Sequence, residues 1–277
     1  MLFPKPSDCW PVSSRREVSE VSLEYDIPAA QYDAQLTSNP YDVLARAAFR
    51  DLVVRYVPGG STLLDFGCGT GLDALQYAQQ GYRVLAYDTS PGMMAGLERR
   101  CAPSIVSGEV IPYSMDYQRF LDNFPQWPAP HAVVSNFAVL NLIADLEPLF
   151  DAFARHLAPP GWVIFSVLNP IHWSKVRMPE WWRGLLKTRS GSRIFSTQPH
   201  TSYLHFLPGL LRVAPHFRLV GRANAGKLVR YDSVIPSRER LWWGRQAGVE
   251  PLQRALWHSP AYKLLGHFLF LVLRRDR

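Results

Sequence analysis

A glycine-rich turn between two apolar runs is the part of this sequence best suited to bind a ligand. The first run, residues 62–66, leads straight into the turn, and the second run, residues 83–88, ends in an acid. Glycine adopts backbone angles that other residues avoid, and it lets a ligand lie directly against the main chain. The residues expected to approach this ligand with their backbone are Gly67, Gly69 and Gly71. The pattern predicts a nucleotide-type loop followed by a helix.

The helices around this turn are predicted from their apolar spacing. Residues 72–80 carry Leu72, Leu75 and Ala78 on one helical face, so this helix is expected to begin at the ligand. An earlier helix is predicted over residues 42–56. Its expected apolar face comprises Val43, Leu44, Ala47, Ala48, Leu52 and Val53.

The spacing of the glycines distinguishes two classes of ligand. A dinucleotide fingerprint has the form Gly-x-Gly-x-x-Gly, which lets the helix N-terminus face a pyrophosphate. Here Gly71 comes one residue too early, and the carboxylate of Asp65 at the end of the first strand would repel a pyrophosphate. The spacing therefore argues against a dinucleotide, while a purely structural turn in another α/β protein stays open as an alternative.

The segment Asp65-Phe-Gly-Cys-Gly-Thr-Gly71 resembles the first motif of the class I S-adenosylmethionine (SAM)-dependent methyltransferases. The resemblance implies that the glycines lie under the methionine part of SAM and that Asp65 meets its amino end. It also implies that Asp88 binds the two ribose hydroxyls, since a carboxylate is a double acceptor for a vicinal diol. The resemblance is strong over residues 25–168 and rests on topology alone elsewhere.

Further positions match places where the resembling family surrounds its cofactor. They are Tyr25 or Tyr32 near the start, Thr89 and Met93 or Met94 after the second strand, Asp116 and Tyr117 after the third, and Asn136 after the fourth. A tyrosine is expected to fold over the cofactor, and the residues after the second strand are expected to flank ribose and adenine. By this resemblance Asp116 accepts from the adenine amino group and Tyr117 packs on the ring. Asn136 orients the SAM carboxylate or a substrate hydroxyl, or else caps the next helix.

Repeated strand and helix signals predict a Rossmann-like α/β fold. Five strand-helix units predict one parallel sheet with helices on both faces. The resemblance implies a seven-stranded, mostly parallel sheet whose antiparallel last strand lies near residues 267–273. Residues 1–24 are expected to form a loose leader, and residues 25–277 one domain. Residues 170–206 interrupt the pattern after the fifth strand and are predicted to be a lid or substrate insertion.

The insertion contains the candidate for a catalytic base. Methyl transfer from a sulfonium is an in-line displacement that mainly needs alignment and exclusion of water. A hydroxyl acceptor can also need a base, and His172, just past the fifth strand, is best placed for that role. His200 and His205 are weaker candidates, and a structural role is the alternative for each histidine.

The charge distribution divides the chain and suggests partners. Residues 1–160 contain 11 Lys and Arg against 18 Asp and Glu, whereas residues 161–277 contain 19 against 5. The basic part favours a small anionic substrate, a carrier protein or a peripheral membrane contact, with a solvated basic face as the alternative. RNA is a weaker interpretation, because the sequence contains no added RNA-binding module.

Cysteine content and apolar runs suggest the compartment. Cys9, Cys68 and Cys101 are too few and too scattered for a disulfide framework or a zinc site, which suits a reducing cytoplasm, and no metal is expected. No signal peptide is recognisable at the start, and the longest apolar run, residues 264–273, is too short to span a bilayer.

These observations lead to four hypotheses about function. The main one is an enzyme that methylates a small hydrophobic or anionic metabolite with SAM, with oxygen as the favoured acceptor atom. The alternatives are a carbon methyltransferase acting on a quinone or lipid-like ring, a non-catalytic SAM-binding protein, and an RNA methyltransferase.

Overall fold

The computed structural model describes residues 29–38, 40–170, 192–197, 200–225 and 266–275 of the 277-residue chain. Several predictions fall outside these residues. They concern the leader over residues 1–24, Tyr25, His172 and most of the expected insertion.

Helices and strands alternate through most of the described chain. The helices are α1 (Ala29–Ser38), α2 (Pro40–Tyr56), α3 (Leu72–Gln79), α4 (Pro91–Arg100), α5 (Ala102–Val106), α6 (Tyr117–Asn123), α7 (Glu147–His156) and α8 (Leu207–Val213). The strands are β1 (Thr62–Phe66), β2 (Arg83–Asp88), β3 (Val110–Ser114), β4 (Ala132–Ser135), β5 (Trp162–Leu168), β6 (Ser192–Thr197), β7 (His200–His205), β8 (Phe217–Ala225) and β9 (Phe268–Arg275). Two 3₁₀ turns, Phe124–Gln126 and Val139–Leu142, complete the described elements.

Seven of these strands form one sheet in the order β3-β2-β1-β4-β5-β9-β8. The first five strands are parallel to one another, and β9 pairs antiparallel with both β5 and β8. Within the described residues β9 is thus the one strand of this sheet that runs against the rest. The predicted Rossmann-like sheet with an antiparallel last strand is confirmed.

Both faces of the sheet are covered, which explains why its central strands are apolar on each side. One face packs on α6 and α7 through a cluster that includes Phe66, Phe120 and Phe153. The other face packs on α2 and α3 through a cluster that includes Phe49 and Tyr77. The turn after β1 is thereby held between two packed layers.

Part of the expected insertion is regular. β6 and β7 pair antiparallel as a separate two-stranded sheet, although the sequence suggested no strand there. β7 is attached to the turn Val139–Leu142, since Asn141 Nδ2 donates to the Tyr203 carbonyl at 2.5 Å. His205 is buried, and its Nε2 lies 3.2 Å and 3.0 Å from the carbonyl oxygens of Leu140 and Ile143. Because both partners are acceptors, this nitrogen donates, and the described contacts give the residue a structural role.

The buried face of α2 differs from the predicted one. Of the predicted face, Val53 is buried and Leu44, Ala48 and Leu52 are partly buried, but Val43 and Ala47 are exposed. Ala45 and Phe49, which were not predicted, are buried in the core. The helix is thus partly rotated from its expected orientation, and Arg46 and Arg50 lie on the side that meets α3.

The buried face of α3 also differs. The predicted Ala78 is buried, but so are Ala74, Tyr77 and the charged Asp73, while the predicted Leu72 and Leu75 are only partly buried. The apolar pattern could not reveal this face, because one of its members is an ion-paired carboxylate.

The rotation of α2 can be tested by a pair of truncations on the same helix. Phe49 is fully buried, so Phe49→Ala should lower the free energy of unfolding by about 3–5 kcal/mol. Val43 is 45% exposed, so Val43→Ala should change it by no more than about 0.5 kcal/mol. Urea denaturation followed by circular dichroism measures both, and similar losses for the two variants would contradict the described face.

Candidate functional site

A cleft lies at the carboxyl ends of β1, β2 and β4, where open α/β sheets bind ligands. Its outer cavity is mainly apolar and is lined by Tyr32, Phe66, Gly67, Gly69, Tyr87, Asp88, Thr89, Ser90, Met93, Tyr117, Phe137, Ala138, Val139, Leu142 and Ile143. Its inner cavity is more polar and includes Arg46, Asp65, Thr70, Asp73 and Asn136. Tyr32, Gly67, Gly69, Phe137 and Val139 line both cavities, which therefore adjoin.

The three glycines of the turn have different roles. All have positive φ, between +54° and +79°, which favours glycine at each position. A Cβ on Gly67 would lie 2.5 Å from Val139 Cγ1, so this position also needs the absence of a side chain. Gly67 and Gly69 line the cleft, but Gly71 does not. A Cβ at Gly71 would instead lie 3.0 Å from Leu97 of α4, so this glycine permits close packing of α4.

Asp88 is fixed at the edge of the outer cavity by backbone donors. Its Oδ2 accepts from the Gly69 N–H at 2.8 Å, and its Oδ1 accepts from the Ser90 N–H at 2.9 Å. Burial raises the pKa of this carboxyl group, and the backbone hydrogen bonds oppose that shift. A carboxylate has about four acceptor sites, so Asp88 can still accept from a hydroxyl group of a ligand.

Asp65 is the least satisfied polar side chain of the inner cavity. It is 3% exposed, and its Oδ2 has no hydrogen-bond partner among the described residues. Burial raises the pKa of this carboxyl group well above its usual range, and the negative charge of Asp73 raises it further. A bound cation or N–H donor would relieve this cost.

A partly buried ion-pair network, which the sequence did not reveal, forms one wall of the inner cavity. Asp73 accepts from Arg46 Nη1 at 2.5 Å and from Arg50 Nε at 2.6 Å. Asn136 Nδ2 donates to the same carboxylate at 3.2 Å. Arg50 also donates to the Leu72 carbonyl at 2.7 Å. The available signal was the i, i+4 spacing of the two arginines on a helix otherwise read as apolar.

The residues after β4 turn back into the cleft through strained backbone. Phe137 and Ala138 have φ of 54° and 62°, a conformation that non-glycine residues rarely adopt. Hydrogen bonds hold the turn, because the Phe137 N–H donates to Asn136 Oδ1 and the Ala138 N–H donates to Ser166 Oγ. The Arg46 guanidinium lies 4.4 Å from the centre of the Phe137 ring. The strain thus places an aromatic ring and a cation side by side in the cleft.

Helix α1 lies over the glycine turn and is fixed there by polar contacts. Asp33 accepts a short hydrogen bond from Thr70 Oγ1, and it forms an ion pair with Arg100, whose Nη2 lies 2.6 Å from Asp33 Oδ2. Arg100 Nη1 also donates to the Thr70 carbonyl at 2.6 Å. These contacts bring Tyr32, the neighbour of Asp33, into both cavities.

The structure brings most of the predicted ligand residues together. Those in the cleft are Tyr32, Asp65, Gly67, Gly69, Asp88, Thr89, Met93, Tyr117 and Asn136. Of the two methionine candidates, Met93 lines the outer cavity, while the sulfur of Met94 lies 3.8 Å from Cys68 Sγ. Among the described residues, Gly71, Asp116 and the alternative candidate Met94 are the predicted residues that do not line it.

Solved methyltransferases have the same fold. An S-adenosylmethionine-dependent methyltransferase from Mesorhizobium loti superimposes with a TM-score of 0.53 at 18% identity, over 83% of this chain and 96% of that one. The Haemonchus contortus phosphoethanolamine N-methyltransferase 2 gives 0.54 at 18% identity, over 83% and 53%. Identities this low show a common fold and nothing more specific.

Curated relatives match part of the sequence. A ubiquinone biosynthesis O-methyltransferase of Xylella fastidiosa is 31% identical over 43% of this chain and 47% of its own length. A malonyl-[acyl-carrier protein] O-methyltransferase of Serratia marcescens is 30% identical over 53% and 52%. The chain thus spans about half the length of these two relatives.

The family match covers a larger share of the chain. The methyltransferase-domain family matches residues 37–203, which is more than half of the sequence and includes the glycine turn and the strands that form the cleft. The chain therefore belongs to the methyltransferase-domain family, and its fold and glycine motif are those of the class I S-adenosylmethionine-dependent methyltransferases.

Proposed function

We propose that this chain transfers the methyl group of SAM to a small-molecule acceptor, with oxygen as the receiving atom. The observation that supports the proposal most is the unpartnered, buried Asp65 carboxylate beside Arg46, at the inner end of a cleft whose outer end holds Asp88. An amino acid group carries one cation and one anion, and a ribose carries a vicinal diol. Asp65 complements the cation, Arg46 complements the anion and Asp88 complements the diol.

Five residues that line the cleft have a defined part in this proposal. When bound, SAM supplies a methyl group made electrophilic by its sulfonium. Asp65 accepts from the ammonium of the methionine part, and Arg46 donates to its carboxylate. Asp88 accepts from the ribose hydroxyls, and Tyr32 and Phe137 exclude water from the reacting groups. The protein contributes mainly alignment, as an in-line displacement requires.

Oxygen is proposed as the acceptor atom because two relatives of similar identity are named O-methyltransferases. The apolar lining contributed by Phe137, Leu142 and Ile143 suits an acceptor with a hydrophobic part. His172, outside the described residues, stays the proposed base for a hydroxyl acceptor. Methylation of carbon on a quinone or lipid-like ring is the alternative reaction for the same cleft.

The acceptor is proposed to be anionic or attached to an acidic carrier, in the cytoplasm. Residues 161–277 carry the excess of 19 basic over 5 acidic residues, and the name of the Serratia relative includes a carrier protein. Among the described helices, none has the length and apolar character to cross a bilayer. A peripheral membrane contact would use the same basic residues.

The two arginines of the ion-pair network offer a matched test of cofactor binding. Both pair with Asp73, but Arg46 lines the inner cavity and Arg50 does not. Arg46→Met should lower the affinity for S-adenosylhomocysteine (SAH) by about tenfold or more, because a charge-assisted hydrogen bond is lost. Arg50→Met should lower the thermal midpoint with little change in affinity. Calorimetric titration and thermal unfolding measure both quantities, and equal affinities for the two variants would rule out the role given to Arg46.

The reaction is tested with SAM labelled in its methyl group. Candidate acceptors are phenols, carboxylic acids, reduced quinones and a malonyl-loaded carrier protein. We expect label on oxygen of at least one of them, identified by mass spectrometry of the product. Label on a ring carbon would favour the alternative reaction. SAH binding without transfer to any acceptor would favour a non-catalytic SAM-binding protein, and no binding of SAM or SAH would refute the proposal.

A further inference from the structure

The acid that the resemblance assigns to the adenine amino group is occupied elsewhere. Asp116 is the N-cap of α6, where its Oδ1 accepts from the Arg119 N–H at 2.9 Å. Its Oδ2 lies 3.3 Å from Arg119 Nε, and the side chain is 52% exposed. Asp116 is also absent from the residues that line the outer cavity. Its carboxylate is thus used in the first turn of its own helix.

Two tyrosines do line that cavity with hydroxyl groups that have no described partner. Tyr87 and Tyr117 each have a buried hydroxyl oxygen without a hydrogen bond to the described residues. The ring of Tyr87 is packed at 5.2 Å from Phe66 and 4.4 Å from Phe120, measured between centroids, so its hydroxyl has little freedom to find another partner. A buried polar group left unpaired costs about 1–3 kcal/mol, so an unpaired hydroxyl in a ligand cleft calls for an explanation.

Both hydroxyls are available as donors and acceptors near neutral pH. Burial raises the pKa of Tyr87, with smaller contributions from Asp88, Tyr117 and Asp116. Burial likewise raises the pKa of Tyr117. A neutral phenol can donate to a ring nitrogen or accept from an amino group, whereas a carboxylate can only accept.

We propose that the hydroxyl groups of Tyr87 and Tyr117, rather than the carboxylate of Asp116, form the hydrogen bonds to the adenine of the cofactor. The inference rests on the proposed function, since it requires SAM or SAH in the cleft. The other polar groups of the outer cavity are already used in part, because Asp88 accepts from Gly69 and Ser90, and the Ser90 hydroxyl accepts from Met93. The two phenols are thus the buried side-chain hydroxyls of this cavity that have no partner among the described residues.

Removing either hydroxyl should weaken ligand binding without destabilising the ligand-free protein. Tyr87→Phe and Tyr117→Phe should each weaken SAH binding by about three- to tenfold, the value of one hydrogen bond. The thermal midpoint of the ligand-free protein should stay the same or rise, because the lost hydroxyl had no partner. A lower midpoint with unchanged SAH affinity would show a structural hydrogen bond and overturn the proposal.

Two control variants separate the proposal from the expectation drawn from the family. Asp116→Asn keeps a good helix cap and should leave SAH affinity unchanged. The ring of Tyr113 lies outside the cavity and stacks on Trp127, with 3.6 Å between the ring centroids. Tyr113→Phe, which removes the hydroxyl of this ring, should also leave SAH affinity unchanged. If Asp116→Asn lowered the affinity for SAH and Tyr87→Phe and Tyr117→Phe did not, Asp116 would be the residue that binds the adenine, and the proposal would be wrong.

A deaminated ligand distinguishes a hydroxyl from a carboxylate. S-inosylhomocysteine presents a carbonyl in place of the adenine amino group, and a phenol can donate to it. Native protein should therefore bind it within about tenfold of SAH, since steep rejection requires a polar group that the analogue leaves unpaired. Rejection by about a hundredfold or more, relieved in Asp116→Asn, would overturn the proposal. If the native protein binds neither SAH nor S-inosylhomocysteine, the proposed function is refuted as well. If the native protein binds SAH and the tyrosine variants bind it equally well, this inference is refuted and the proposed function stands.

Discussion

The buried carboxylate of Asp73 is the constraint on which the cleft depends. It lies at the start of α3, directly after the glycine turn, and it pairs with two arginines of α2 while accepting from Asn136 after β4. One charged group thereby joins two helices on one face of the sheet to the end of a central strand. Burying an ion pair has a large desolvation cost, and removing one partner would leave a buried charge unpaired. Arg46 reaches the inner cavity because Asp73 holds it there.

The two turns that form the cleft solve the same steric problem with different residues. After β1 the chain uses glycines at positive φ, which brings bare backbone to the ligand. After β4 it forces Phe137 and Ala138 into the left-handed region and holds them with the hydroxyl of Ser166 and the amide of Asn136. Strain of this kind costs about 1–3 kcal/mol per residue and persists where the surroundings fix it. The turn after β1 leaves space for a ligand next to the backbone, and the turn after β4 places the Phe137 ring at the edge of that space.

Sequence alone could predict the sheet, the glycine turn and the two acids at its strand ends, because these follow from strong local patterns. It oriented α2 and α3 only in part, since the apolar count ignores a buried Asp73 paired with arginines that come from another part of the chain. It placed Asp116 at the exit of β3 correctly, but position along the chain does not determine what a side chain binds. There the backbone N–H of Arg119 offered a local partner. Tyr87 escaped notice for a related reason, since a tyrosine in a buried strand reads as core.

The antiparallel position of β9 also has a consequence for the order of folding during synthesis. Residues 268–275 lie in the sheet between β5 and β8, although β8 is synthesised more than forty residues earlier. The strands around the cleft, β1 to β5, pair with one another, and of these five β5 also pairs with the later strand β9. A nascent chain can therefore pair β1 to β5 while β8 still lacks its neighbour. Until β9 is synthesised, β5 presents an unpaired edge, which makes this the interval in which the growing chain is most exposed to pairing with another molecule.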